Sequence, residues 1–160
     1  MARVFIALGS NQGDRALLLR TARDALWEFI VLISRSLVYE TAPKYVTNQS
    51  PFLNMVVEGH TELKPDRLLK LLKATERNMG RVAGPRNGPR PIDLDILFYD
   101  DLGFKTETLT IPHPRIAERR FVLQPLADIA GDYQHPLTGD TIAKMLGMLP
   151  AEDEVRVFEG

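Results

Sequence analysis

Arg86-Asn87-Gly88-Pro89-Arg90-Pro91-Ile92-Asp93-Leu94-Asp95-Ile96-Leu97-Phe98 is the stretch whose reading decides the fold. From Ile92 onward, Ile92, Leu94, Ile96 and Phe98 alternate with Asp93 and Asp95. A period of two is the signature of a strand with one buried apolar face, so both carboxylates are expected on the opposite side. At the rise of a strand their Cα atoms stand roughly 6–7 Å apart, close enough to repel and to call for a cation. Just upstream, Arg81, Arg86 and Arg90 lie on a segment broken by Gly84, Pro85, Gly88 and Pro89. Such a segment cannot continue as helix or strand. A cationic loop therefore runs directly into an anionic strand.

Arginine forks match phosphate oxygens, and a carboxylate pair with open coordination positions suits Mg²⁺, which keeps waters and binds substrate phosphates. Together they point to a site for a metal–polyphosphate complex. An isolated Asp-x-Asp is more simply a solvent-facing pair salt-bridged by nearby arginines. The adjoining loop is what moves the reading toward function.

Working outward, residues 3–8 form an apolar run ended by Gly9-Ser10-Asn11-Gln12-Gly13-Asp14, which predicts a first, central strand and a turn. Asp14 is placed to cap a helix carrying Leu18, Ala22, Ala25 and Phe29 at spacings of four and three. The turn could cradle a phosphate at that helix start, although no dinucleotide fingerprint or Gly-Lys-Ser/Thr loop is present. Residues 31–39 read as a second strand, 40–51 as a long polar loop, and 52–58 as a third strand with Phe52, Asn54 and Val56 on one face. The Asn54 amide needs a partner: either an edge-strand hydrogen bond or the donor and acceptor edge of a heterocycle, with Phe52 available to stack.

Pro65 suits the first turn of a second helix with Leu68, Leu72 and Met79 as its stripe and Gly80 as its stop. Glu76 falls on that stripe and requires a positive partner, with Arg77 or Arg81 nearest. Its role is divided between a structural ion pair and support of the site. The fourth strand spans residues 92–99. The order is thus β-α-β-β-α-β, an α+β class with an antiparallel sheet and the ferredoxin-like arrangement. Residues 100–160 read as a loop-rich extension with short helices near 125–130 and 141–149, on the same single domain 1–160. His60 and His135 sit in turn-like surroundings, and no histidine pair has metal-ligand spacing. His113, pinned between Pro112 and Pro114, is followed by Arg115, Arg119 and Arg120.

Composition bounds the rest. The chain has 160 residues, 44% hydrophobic and 26% charged, a formal net charge of −1 and no cysteine. Those values belong to an ordinary globular protein with a substantial core. They exclude disulfides and thiolate sites and give no electrostatic reason to expect nucleic acid or a membrane as partner. With no signal-peptide pattern or spanning segment in sight, a cytoplasmic location is expected.

Several of these stretches coincide with one family. The sequence resembles the 6-hydroxymethyl-7,8-dihydropterin pyrophosphokinases through Ala7-Leu8-Gly9-Ser10-Asn11 with Gly13-Asp14, Tyr39-Glu40-Thr41-Ala42-Pro43, Phe52-Leu53-Asn54, Glu76-Arg77-Asn78-Met79-Gly80-Arg81, Gly88-Pro89-Arg90-Pro91-Ile92-Asp93-Leu94-Asp95-Ile96-Leu97 and Ile111-Pro112-His113-Pro114. The resemblance implies transfer of the β,γ-diphosphoryl unit of ATP to the pterin hydroxymethyl group, leaving AMP, in folate biosynthesis. It implies two Mg²⁺ ions on Asp93 and Asp95, with Asp95 also easing deprotonation of the attacking hydroxyl. Arg81, Arg90, His113 and Arg119 correspond to triphosphate contacts, with Arg86 on the same loop and Glu76 close to the ATP site. Thr41, Ala42, Pro43 and Asn54 correspond to the pterin-recognition region, and Phe52 and Phe121 to the pair that stacks the ring. A monomer or weak dimer is implied. The chain departs from the family in carrying Asn87 where a tryptophan is usual, on a loop one residue shorter.

Overall fold

Alternating apolar residues make the central strand, β1 (Ala2–Ser10), whose even-numbered Val4, Ile6 and Leu8 are buried on one face. The computed structural model describes residues 1–41, 50–80, 90–150 and 155–159. After β1 come α1 (Arg15–Leu26), β2 (Val31–Arg35), β3 (Tyr39–Thr41), β4 (Phe52–Thr61), α2 (Pro65–Asn78) and β5 (Asp93–Tyr99). The remainder contributes a short hairpin, β6 (Phe104–Lys105) and β7 (Thr110–Ile111), a 3₁₀ turn (Ile116–Glu118), α3 (Arg120–Ala130), α4 (Ile142–Gly147) and β8 (Val155–Val157). Among the described residues no helix is long and apolar enough to cross a membrane.

The main sheet is antiparallel, in the order β5-β1-β4-β3-β8, with β2 also paired to β4. Helices α1 and α2 bury Leu19, Ala22, Leu26, Leu68 and Leu72 against Val4, Ile6, Leu8, Leu53, Met55 and Leu94 on one face. Helices α3 and α4 cover Phe5, Val56, Leu97 and Phe98 on the other with Val122, Leu123, Leu126, Ile142 and Met145. The protein is thus a three-layer α+β structure, each sheet face covered by its own helices.

Four sequence expectations change. The strand expected over residues 31–39 is broken into β2 and β3 at Ser36: its N–H still donates to Val56 O at 2.9 Å, but its hydroxyl replaces its carbonyl as acceptor for Val56 N at 2.9 Å and donates to Leu37 O at 2.7 Å. The buried stripe of α1 is Leu19, Ala22 and Leu26 rather than Leu18, Ala22, Ala25 and Phe29, and the helix ends before Phe29. Phe98 does not share a face with Ile96: the β1–β5 register pairs Phe5 with Phe98 and Ile6 with Ile96, which leaves Leu97 as a bulge. An extra residue inverts the alternation beyond it, so Phe98 joins the α3 side. His60 lies within β4 instead of a turn. The caps hold as expected, with Leu17 N donating to Asp14 Oδ1 at 3.2 Å and Gly80 ending α2 at φ +96°.

Candidate active site

The register of three strands assembles the site. Gly9 pairs with Asp93 on one side and with Asn54 on the other, while Ala7 pairs with Asp95. Directly paired residues project to the same face, so Asp93, Asp95, Asn54 and Phe52 share the face that α3 covers farther along. Gly9 is required there: a Cβ would lie 2.8 Å from Asn54 Oδ1 and 3.8 Å from Phe52 Cδ1. Its absence lets the Asn54 amide lie across β1. Because β4 is internal to the sheet, an edge-strand hydrogen bond for Asn54 is ruled out. Asn54 Nδ2 and the hydroxyl of Thr41, at the end of β3, are buried without a hydrogen-bond partner among the described residues. Such atoms cost on the order of 1–3 kcal/mol each unless something pairs them.

Asp95 lies in this region two residues along β5 from Asp93, partly buried. Burial, followed by the neighbouring Asp93 carboxylate, pushes its carboxyl up to about 7, with Lys73 and Arg119 pulling the other way and Glu76 adding to the rise. Arg90 Nη1 stands 3.7 Å from Asp93 Oδ1. Burial, followed by the Arg119 guanidinium, lowers His113 to about 4 despite the opposing charge of Asp93. The neutral ring accepts Arg115 N–H at Nδ1 over 3.2 Å, which assigns its proton to Nε2. The Leu97 bulge anchors the same residue through His113 N donating to Leu97 O at 3.0 Å. The Arg119 guanidinium carbon stands 5.5 Å from the centroid of Phe121, in the first turn of α3.

Glu76 is 3% exposed, and its Oε2 accepts from Leu94 N at 2.7 Å and from Lys73 Nζ at 3.3 Å. The described ion-pair partner is therefore Lys73, one turn earlier on α2, and not Arg77. The expected Arg81, Arg86, Ala42 and Pro43 lie outside the described residues.

Two residues enter that the sequence did not single out. One is Lys73. The other is Asn11, 3% exposed, which ties two loop ends together. Asn11 N donates to Arg90 O at 3.0 Å, Arg90 N donates to Asn11 Oδ1 at 2.7 Å, and Asn11 Nδ2 donates to Ser50 O at 3.1 Å. Ser50 follows residues 42–49 and Arg90 follows residues 81–89. In sequence, Asn11 is indistinguishable from an asparagine that closes a turn.

Chemically, the face offers two hard carboxylates for a divalent cation, a guanidinium and an imidazole N–H for anionic oxygens, and a buried amide beside an aromatic ring. Among the described residues no group of three or more histidine, cysteine, aspartate or glutamate side chains converges. A cation on Asp93 and Asp95 would complete its shell with water or ligand oxygens, the habit of Mg²⁺.

A family model described as 7,8-dihydro-6-hydroxymethylpterin-pyrophosphokinase (HPPK) matches residues 5–131. The mitochondrial folate synthesis bifunctional protein of Pisum sativum is 48% identical over 141 residues, which are 88% of this chain and 27% of that protein. The chain thus spans about a quarter of the plant relatives it matches. The 2-amino-4-hydroxy-6-hydroxymethyldihydropteridine pyrophosphokinase of Bacillus subtilis is 44% identical over 136 residues, 84% of this chain and 81% of that protein. Wild-type Plasmodium falciparum HPPK-DHPS, crystallised with pteroate, superposes with a TM-score of 0.75 at 18% identity, covering 91% of this chain and 42% of that one, a likeness of fold.

Proposed function

Because the chain belongs to the 7,8-dihydro-6-hydroxymethylpterin-pyrophosphokinase family, we propose that it transfers the β,γ-diphosphoryl unit of ATP to the hydroxymethyl oxygen of 6-hydroxymethyl-7,8-dihydropterin. The C–O–H oxygen bonds to the β-phosphorus, the bond from that phosphorus to the α,β-bridging oxygen breaks, AMP leaves with the bridging oxygen, and the hydroxyl proton is released. The observation that carries this reading is the row Asp93–Gly9–Asn54, with Asp95 two pairs along, opposite Ala7. It brings a carboxylate pair and an amide whose Nδ2 has no partner among the described residues onto one sheet face. The strand order β5-β1-β4-β3 supports a ferredoxin-like core beneath it.

Phosphoryl transfer needs in-line positioning and neutralisation of oxygen charge more than covalent chemistry. The donor chemistry of Asp93 and Asp95 fits Mg²⁺: two anionic oxygen ligands, Asp95 held protonatable near neutrality by desolvation and then by Asp93, so that a dication relieves their repulsion. When bound, two Mg²⁺ ions would neutralise phosphate charge and favour ionisation of the attacking hydroxyl. Arg90 and Arg119 supply guanidinium forks for the triphosphate; Arg81 and Arg86, which the family resemblance adds to them, lie outside the described residues. His113 donates Nε2–H as a neutral group and so binds an anionic oxygen without competing for the metal. Thr41 and Asn54 meet the donor and acceptor edge of the pterin; Ala42 and Pro43, which follow Thr41 in sequence, lie outside the described residues. Phe52 and Phe121 stack its ring.

The test is nucleotide product analysis of the purified protein with Mg²⁺ and ATP, with and without 6-hydroxymethyl-7,8-dihydropterin. Pterin-dependent AMP supports the proposal. ADP would indicate transfer of a single phosphoryl group, and bound ATP without turnover would leave a ligand-binding module.

A further inference from the structure

Residues 36–38 join β2 to β3, with α1 on one face of the sheet and α3 on the other. Beside this junction the chain leaves a cavity of about 680 Å³, a volume ordinary for a small-molecule site. Leu19 of α1, Met55 of β4, Leu37, Val38, Ile129 of α3 and Phe158 give it apolar walls. Phe158 is held in place: its N–H donates to Val38 O at 2.8 Å, and the Arg15 guanidinium carbon lies 5.7 Å from its ring centroid. Leu37 is 56% exposed, so an apolar ligand seated against it would take that surface out of water. The cavity is separate from the candidate active site. Met55 adjoins Asn54 in β4 but projects to the opposite face, where it packs with the α1 side of the core.

The polar groups around this cavity are unequally engaged. The Asp128 carboxylate already accepts from the Tyr39 hydroxyl at 2.9 and 2.7 Å and from Leu37 N at 3.3 Å. The Ser36 hydroxyl already accepts from Val56 N and donates to Leu37 O. The cations are different. Arg20 and Arg35 are exposed and form no ion pair among the described residues, and Arg23 meets the exposed Asp24 at 3.5 Å. Arg20 and Arg23 are three residues apart on α1 and so share one side of the helix, and Arg35 at the end of β2 lines the same cavity. What the cavity offers a ligand is therefore an apolar surface and guanidinium donors, while its side-chain acceptors are occupied. Guanidinium forks match carboxylate oxygens and lie flat on aromatic rings. We propose that this cavity is a binding site for a small aromatic carboxylate, its ring against Leu37, Val38 and Phe158 and its carboxylate on Arg20 and Arg35. The site is independent of the reaction proposed above.

The test titrates the ¹⁵N-labelled full chain, followed by NMR, with three probes: 2-naphthoate, 2-naphthalenemethanol, which has the same rings without the charge, and sulfate, which has charge without the rings. 2-Naphthoate is expected to shift the Leu37, Val38 and Ile129 amides saturably, with a Kd of about 1 mM or below, an affinity within reach of a ligand of this size. The uncharged probe should bind at least about tenfold more weakly, and so should 2-naphthoate to the double variant Arg20→Gln/Arg35→Gln, because both lose the charge-assisted hydrogen bonds. Both substitutions fall at exposed positions, and amide shifts of Val57 and Leu94 identical to wild type show that the variant is folded. Four results would each overturn the proposal: no saturable shift at these amides, shifts confined to Asn54 and Phe121 of the candidate active site, equal binding of 2-naphthoate by the double variant, or equal binding of either control probe by wild type.

Discussion

Replacing Asn11 by alanine tests whether one buried side chain coordinates both substrate loops. The variant loses the bonds of Asn11 Oδ1 with Arg90 N at 2.7 Å and of Nδ2 with Ser50 O at 3.1 Å, while the backbone bond from Asn11 N to Arg90 O survives. Each net hydrogen bond contributes about 1 kcal/mol, and the half-buried Arg90 N–H is left without its acceptor, whereas exposed Ser50 recovers water, so the expected loss is about 2 kcal/mol. For a domain of this size that corresponds to a fall in Tm of about 4–8 °C. Turnover should suffer more than stability, because Arg90 and the chain before Phe52 lose their common reference point. A fall in kcat/KM of about a hundredfold at a temperature where the variant is fully folded is expected. Asn11→Asp separates the two arms: it keeps an acceptor for Arg90 N–H but sets a carboxylate against the Ser50 carbonyl. It should therefore raise the pterin KM more than it lowers kcat. Thermal melts and steady-state AMP formation read both. An alanine variant within about 1 °C and twofold of wild type would refute the coupling of the two loop ends through Asn11.

Asp95→Asn should abolish AMP formation yet stabilise the protein in EDTA. The folded carboxyl sits at about 7 against an ordinary value near 3.8, so the native state binds the proton more tightly and loses stability as pH rises from about 4 to 7. The gain, roughly 2–4 kcal/mol at pH 8, should shrink by pH 5, and melts showing an equal gain at both would contradict this. His113 has the opposite sign of dependence. Its folded value of about 4 lies below the ordinary 6.5, so its contribution is fully present above pH 6.5 and is lost as pH falls toward 4. His113→Gln should remove about 2 kcal/mol of that slope after allowance for partial exposure, measured by urea unfolding between pH 4 and 7. Tyr39→Phe removes the hydroxyl that donates to Asp128 Oδ2 at 2.7 Å and that burial, with Asp128, pushes up to about 12. It should cost about 1–2 kcal/mol in urea unfolding, and a neutral substitution would show that α3 does not depend on this contact.

Much of the site is legible as local pattern. The alternation around Asp93 and Asp95 predicts that both leave the buried face, and they do, because three residues of strand suffice to specify direction. Asn54 is marked by its polarity within an apolar strand, and the structure leaves its amide donor buried and unpaired among the described residues. Glu76 is marked by its place on an apolar stripe, and it is buried on that stripe. Its described partner Lys73 is not among the expected Arg77 and Arg81, since the direction of β5 decides which side of α2 it faces, and Arg81 lies outside the described residues.

By itself, then, the sequence determines the order of the main strands and of α1 and α2, where α1 is capped and α2 stopped, and which residue types crowd around residues 86–98. These follow from side-chain periodicity and from glycine and proline, all properties of near neighbours. Tertiary structure alone decides that Gly9 separates Asp93 from Asn54. It alone decides that a bulge at Leu97 turns Phe98 to the other face and offers a carbonyl to His113, and that β8 joins the sheet beside β3. It also makes Asn11 the junction of two loop ends 39 and 79 residues away. Register, bulges and the choice of hydrogen-bond partner depend on which distant segments dock, and docking is settled by the packing of both sheet faces at once rather than by any window of the chain.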